Sequence, residues 1–167
     1  KISEIDYTVQ TPGIFPKRQC SPLTLRYTMS NIISNSDKSD ITALHLACVW
    51  GEPLEVVSYL YEKWPDAIKE RDRNGNTPLH RACENSDLRL DVLKFLLEKH
   101  LDAVRERNNL GANPLHLAET CASESVRDIV YYSFVLLVGT KNDTVIKEAW
   151  NFFTEIKWQF GITFVLN

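Results

Sequence analysis

Thr77-Pro78-Leu79-His80-Arg81-Ala82 is the middle of three copies of one pattern: Thr42-Ala43-Leu44-His45-Leu46-Ala47 stands upstream, and Asn113-Pro114-Leu115-His116-Leu117-Ala118 downstream. Thr77 follows Thr42 by 35 residues, and Asn113 follows Thr77 by 36. Self-similarity at a fixed period of that size marks stacked repeat units rather than one wound core.

Each position of the pattern has a mechanical role. Thr77 places a hydroxyl where it can cap the orphan N–H groups of a new helix, and Pro78 follows at the first helical position, where its missing N–H costs nothing. Leu79 and Ala82 are three apart and share a face, and the small Ala suits close approach by a neighbouring helix. His80 offers two ring nitrogens for bonds to backbone or to an adjacent unit. Upstream, Asp72-Arg73-Asn74-Gly75-Asn76 reads as a tight turn with Gly75 supplying positive φ, and Gly111 repeats it. Downstream, Leu88, Val92, Leu93, Leu96 and Leu97 recur at helical spacing, as do Leu54, Val57, Leu60 and Tyr61 one unit earlier. Each unit is therefore turn, short helix, second helix, loop. The spacing predicts helix pairs near 43–50 and 54–63, 78–85 and 88–99, and 114–121 and 124–138, stacked in one direction, with turns at 72–77 and 108–113 projecting from one edge.

On these residues the chain resembles the ankyrin-repeat proteins, whose hallmark is T-P-L-H-x-A in a unit of about 33 residues. The middle copy matches in full, and the resemblance covers roughly residues 37–138. It implies an all-α solenoid of helix-turn-helix units with projecting turns. The extra length falls in the links Gly51-Glu52-Pro53 and Asn85-Ser86-Asp87 and in the loop after the second helix, where Trp64 to Glu70 is echoed by His100 to Glu106 without the family's usual glycine. The first unit has Asp40 where glycine is expected and Ala43 in place of proline; the third replaces the capping Thr by Asn113, another good cap. The resemblance also implies that His45, His80 and His116 bond the capping region and the neighbouring turn. Partners of the family mostly contact turn tips and the inner face of the first helices. Carried over, the tips are Lys38, Ser39 and Ile41, then Arg73, Asn74 and Asn76, then Asn109, Leu110 and Ala112. The helix positions are Val49 and Trp50, Glu84 and Asn85, Thr120 and Cys121, with Arg71 and Arg107 just before the turns. Trp50, Arg71, Arg73 and Arg107 are expected to form one basic, aromatic cluster on the concave side, suited to an acidic peptide segment.

Composition bounds what else the chain can be. Its 167 residues are 44% hydrophobic and 25% charged, the content of an ordinary folded domain, and its net charge of −3 carries no run of five like charges. Neither a nucleic-acid-binding arm nor an acidic tail is indicated. Cys20, Cys48, Cys83 and Cys121 lack the paired short spacing of a zinc or redox motif. Cys48 and Cys83 occupy one position of successive units and read as buried small hydrophobes, which points to a reducing, cytoplasmic setting. Lys1 to Gln10 lacks a secretory core, and the apolar run Phe134 to Val138 is far short of the roughly 20 residues that span a bilayer.

The flanks carry no repeat motif. Residues 1–36 contain Pro12, Pro16 and Pro22 and the strand-like alternations Ile5, Tyr7, Val9 and Leu23, Leu25, Tyr27, Met29. They read as an irregular covering segment or, since Ile33 and Asp37 align with Ile68 and Asp72, as a decayed repeat whose second helix would contain Pro22. Gly139 fits a helix C-terminus and closes an array expected over 37–139. Beyond it, Val145, Ile146, Ala149, Trp150, Phe153 and Ile156 predict a helix over 144–158, capped by Asn142 or Asp143, that covers the last repeat's apolar face. Residues 160–166 read as a strand.

No catalytic pattern competes with this reading. The chain has no Gly-rich phosphate loop, nucleophile elbow or H-E-x-x-H. Stacked units lie about 8–10 Å apart, so equivalent histidines cannot share one zinc at about 2 Å. Cys121 and His116 are five apart on one helix and point to different sides. No cofactor or metal is expected, and the chain is read as a non-enzymatic protein-interaction module, with a structural spacer as the alternative.

Overall fold

The computed structural model describes residues 41–139 and 142–166. Its helices are α1 (Ala43–Trp50), α2 (Leu54–Lys63), α3 (Pro78–Cys83), α4 (Leu90–Lys99), α5 (Pro114–Cys121), α6 (Glu124–Val138), α7 (Asp143–Glu155) and α8 (Gln159–Leu166). Among the described residues there is no strand. The first helices stack in chain order, α1 on α3 and α3 on α5, and the second helices form a parallel row, α2 on α4 and α4 on α6. This is the all-α repeat solenoid that the period predicts. The small residue at the crossing point explains the close stacking, since Ala47, Ala82 and Ala118 are all fully buried.

Two boundaries differ from the spacing. α3 ends at Cys83 rather than at residue 85, and α4 begins at Leu90 rather than 88. Asn85 is the cause: its Oδ1 accepts from the N–H of Asp87 at 2.8 Å, an Asx turn that competes with continuation of the helix. Leu88 is buried all the same, as part of that turn. The loops without the usual glycine are short 3-10 helices, Pro65–Ile68 and Leu101–Arg105. They need no glycine because the residues that enter them, Trp64 and His100, have φ of −137° and −150°, ordinary for any side chain.

Each first helix starts as the motif requires. The N–H of His80 donates to Thr77 Oγ1, and the N–H of Thr77 donates to His80 Nδ1 at 3.2 Å, a reciprocal cap built from a threonine and a histidine. Asn113 and His116 make the same pair. The other ring nitrogen reaches the next unit: His45 Nε2 lies 2.9 Å from the carbonyl of Asn76, and His80 Nε2 lies 3.2 Å from that of Ala112. For His80 this fixes Nδ1 as acceptor and Nε2 as donor, the neutral ring. Burial holds both imidazoles below the usual histidine value, outweighing the carbonyls they bond. The unfolded chain therefore takes up protons below about pH 6.5 that the folded chain does not, so stability falls as pH drops through that value. Urea midpoints measured at about pH 7.5 and about pH 5.5 should show the lower value at the lower pH, and equal midpoints would contradict the buried neutral rings.

The C-terminal segment is two helices, where one helix and a strand were expected. α7 is capped by Asn142, whose Oδ1 accepts from the N–H of Val145 at 2.8 Å, and it ends at Glu155, short of the expected 158. Residues 160–166 are helical because their environment overrides a strand-like composition: Phe160 and Phe164, four apart, stack with centroids 6.5 Å apart, and the N–H of Ile162 bonds the carbonyl of Trp158. The pair covers the second-helix row across two units. Tyr132 on α6 meets Phe152 and Phe153 on α7, while Trp158 Nε1 donates to Glu98 and Lys94 Nζ donates to the carbonyl of Ile156, both on α4's side. Gly161 makes this possible, since a Cβ there would overlap the Trp158 ring and lie 2.9 Å from Phe153. Gly161→Ala should cost about 1–3 kcal/mol by overpacking, read as a lowered urea midpoint; an unchanged midpoint would mean that α8 shifts freely.

Candidate functional site

The projecting turns are built from their own side chains. Asp72 Oδ1 accepts from the N–H groups of Asn74 and Asn76 at 2.8 and 2.9 Å, and Gly75 closes the turn at φ 75°. In the next unit Asn108 Oδ1 accepts from Leu110 and Ala112, each at 3.0 Å, and Gly111 has φ 78°. Burial raises the Asp72 carboxyl, but the N–H of Asn76, the Arg81 guanidinium and the N–H of Asn74 together hold it below the usual carboxylate range. Arg81 Nε donates to Asp72 Oδ2 at 2.7 Å, and its Nη1 donates to Glu84 at 2.8 Å. Sequence reasoning missed this network, and the repeats carry no consistent signal for it: Asn108 and Leu117 replace Asp72 and Arg81 in the third unit, but the first unit has Asp37 with Leu46.

Adjacent turns are tied to each other. The N–H of Asn109 donates to the carbonyl of Asn74 at 3.0 Å and its Nδ2 to that of Arg73 at 3.1 Å, while Asn108 Nδ2 donates to Asn76 Oδ1 at 2.8 Å. Arg71 donates to the carbonyls of Gly75 and Arg107 and to Glu106 at 2.8 Å. Asn85 Nδ2 donates back to the carbonyls of Cys48 and Val49 at the end of α1. Several residues expected to face a partner are thus engaged within the array.

This geometry sorts the candidate positions. Lys38 and Ser39 lie outside the described residues. Asn76 is buried and serves the inter-turn bonds, so its side chain is not a surface contact. Asn85 and Glu84 are half-buried and bonded as described, and Ile41 and Ala112 are half-buried. Exposed positions are Val49, Trp50, Arg71, Arg73, Asn74, Arg107, Asn109, Leu110, Thr120 and Cys121. Trp50 is 44% exposed and Leu110 90%.

The expected four-residue cluster does not form as one patch. Trp50 closes α1, an eight-residue helix, and so stands about 12 Å along its axis from the turn end, where Arg71, Arg73 and Arg107 lie. Arg71 is paired with Glu106, which offsets its charge. The edge instead presents an apolar end at Val49 and Trp50 and a cationic turn end at Arg73 and Arg107.

The family model described as ankyrin repeats in three copies matches residues 23–107 and 65–135. The chain belongs to the ankyrin-repeat family. A comparison with curated proteins finds no match. The ankyrin match begins at residue 23, within the segment read as a cover or a decayed repeat, whose structure lies outside the described residues. Ankyrin repeats are general protein–protein interaction modules and are typically non-enzymatic. Among the described residues, no group of three or more His, Cys, Asp and Glu side chains is placed to hold a metal ion, and no helix is long and apolar enough to cross a membrane. Cys48 and Cys83 are buried, with burial pushing the Cys48 thiol up to about 12 and Cys83 upward too, so neither is a nucleophile.

Proposed function

We propose that this ankyrin array binds a partner protein along the edge formed by the turn tips and the C-terminal ends of the first helices. Trp50, with Val49, supplies the apolar anchor, and Arg73 and Arg107 attract carboxylates on an extended or helical segment of the partner. The observation that carries this reading is the exposure of Trp50 on the first-helix row, because tryptophan is among the residues that most often dominate interface energies. Net charge of −3 and the absence of any basic run favour a protein partner over nucleic acid or an anionic membrane. The buried reduced thiols favour a cytoplasmic setting.

Trp50→Ala and Arg73→Ala should each weaken partner binding by at least about 1 kcal/mol, roughly fivefold, without moving the urea midpoint. Added salt should weaken it further. A partner captured with the intact chain and titrated against both variants provides the check; equal affinity for the double variant would move the site off this edge. Arg71→Ala is expected to behave differently, lowering stability, because it removes two bonds between units and one within its own turn.

A further inference from the structure

The bonds that tie one turn to the next have a direction, and the third unit repeats their outgoing half. Arg71 donates to the carbonyl of its own Gly75 and also forward to Glu106 and the carbonyl of Arg107. Arg107 donates in the same way to its own Gly111, at 2.7 Å, and its forward position is unfilled among the described residues. The carbonyl of Asn74 receives the N–H of Asn109, and the equivalent carbonyl is that of Leu110; His80 Nε2 reaches the carbonyl of Ala112, and the equivalent nitrogen is that of exposed His116. Among the described residues beyond Gly139 there is no fourth turn: α7 and α8 pack over the second-helix row rather than on α5 and its turn.

We propose that this open turn end of the third unit is a docking site for a turn of another protein that carries a carboxylate, seated in the register a fourth unit would take. The register states the occupant's chemistry. An acidic side chain pairs with Arg107 as Glu106 does with Arg71, the next residue's carbonyl accepts from Arg107, an N–H three residues after the acid donates to Leu110, and a carbonyl six residues after it accepts from His116. Leu110, 90% exposed where the inner unit has Asn74, gives the visiting turn apolar surface to cover. The contact is confined to the turn end, because Glu119 is exposed at the helix position where the inner units bury Cys48 and Cys83. This surface shares Arg107 with the edge proposed above but does not include Trp50, Val49 or Arg73.

The test is a nuclear magnetic resonance titration of the whole chain with a synthetic peptide spanning residues 100–121, which carries the chain's own acidic turn. Shifts are expected at the Leu110 and Gly111 amides and the His116 ring, with affinity weakened at least about threefold by Arg107→Gln in the chain or by Glu106→Gln in the peptide, and by salt. The peptide variant leaves the folded chain untouched, so its loss of affinity cannot come from unfolding. Trp50→Ala in the chain should leave this binding intact, which separates it from the edge described above. Absence of shifts, shifts centred on Trp50 or on α7 and α8, or equal binding by the Gln peptide would each overturn the proposal.

Discussion

Replacing Gly75 by valine should lower stability by about 3 kcal/mol or more, the largest effect expected of any turn substitution here, from two separate causes. The first is local: a β-branched side chain at φ 75° is strained by about 1–3 kcal/mol. The second is between units, since a Cβ at residue 75 would overlap the side chain of Asn109 and lie 2.9 Å from its backbone nitrogen. The turn of the third unit would have to move away, and both Asn109 bonds to Arg73 and Asn74 would go with it. Gly111→Val is the matched control: its φ is 78°, yet nothing lies within 4 Å of the added Cβ, so only the backbone cost of about 1–3 kcal/mol remains. Urea denaturation of the two variants measures the difference. Equal losses would show that the turns do not press on each other at Gly75.

Trp158→Ala should cost about 3–5 kcal/mol, the range for a fully buried large aromatic. Trp158 is 2% exposed, meets Phe153 edge-to-face with centroids 4.9 Å apart, and holds the junction of α7 and α8 to α4 through Glu98. Trp50, Trp64 and Trp150 are 37–50% exposed, so Trp158 is the buried tryptophan of the four, and the variant's emission should lose its blue-shifted component. A urea midpoint that does not fall would mean that the C-terminal helices add nothing to the array's stability.

The two substitutions differ in how far the sequence foretells them. Gly75 is legible: a glycine in an Asp-Arg-Asn-Gly-Asn run before a helix cap announces positive φ, and the repeat at Gly111 confirms the reading. The extra cost from Asn109 is not legible, because it depends on a residue one period away and on how closely the turns stack. Trp158 is illegible for a similar reason. Its neighbours Phe160, Ile162, Phe164 and Val165 are residues that favour strands, and the helix depends on tertiary packing, with Gly161 letting α8 lie against the Trp158 and Phe153 rings.

The candidate surface divides along the same line. Family position correctly marks Trp50, Arg73, Asn74 and Leu110 as exposed, since a turn tip and the outer end of a first helix project wherever units stack. It does not foresee the inter-unit bonds of Arg71, Asn76, Asn85 and Asn109, whose long or branched polar side chains could reach either solvent or the adjacent unit. In the stacked array they find backbone carbonyls and side chains of the neighbour within hydrogen-bond distance.

By itself, then, the sequence determined what is set by local chemistry and period: the unit, its caps, its glycine turns, the bonding histidine and close-packing alanine positions, and the all-α solenoid they generate. Only the tertiary structure decided which polar groups are consumed between units, that the C-terminal segment folds as two helices over the second-helix row, and that among the described residues nothing packs on the turn of the third unit. Those outcomes depend on distances between residues far apart in the chain, and a repeat period fixes the order of stacking without fixing the contacts that order creates.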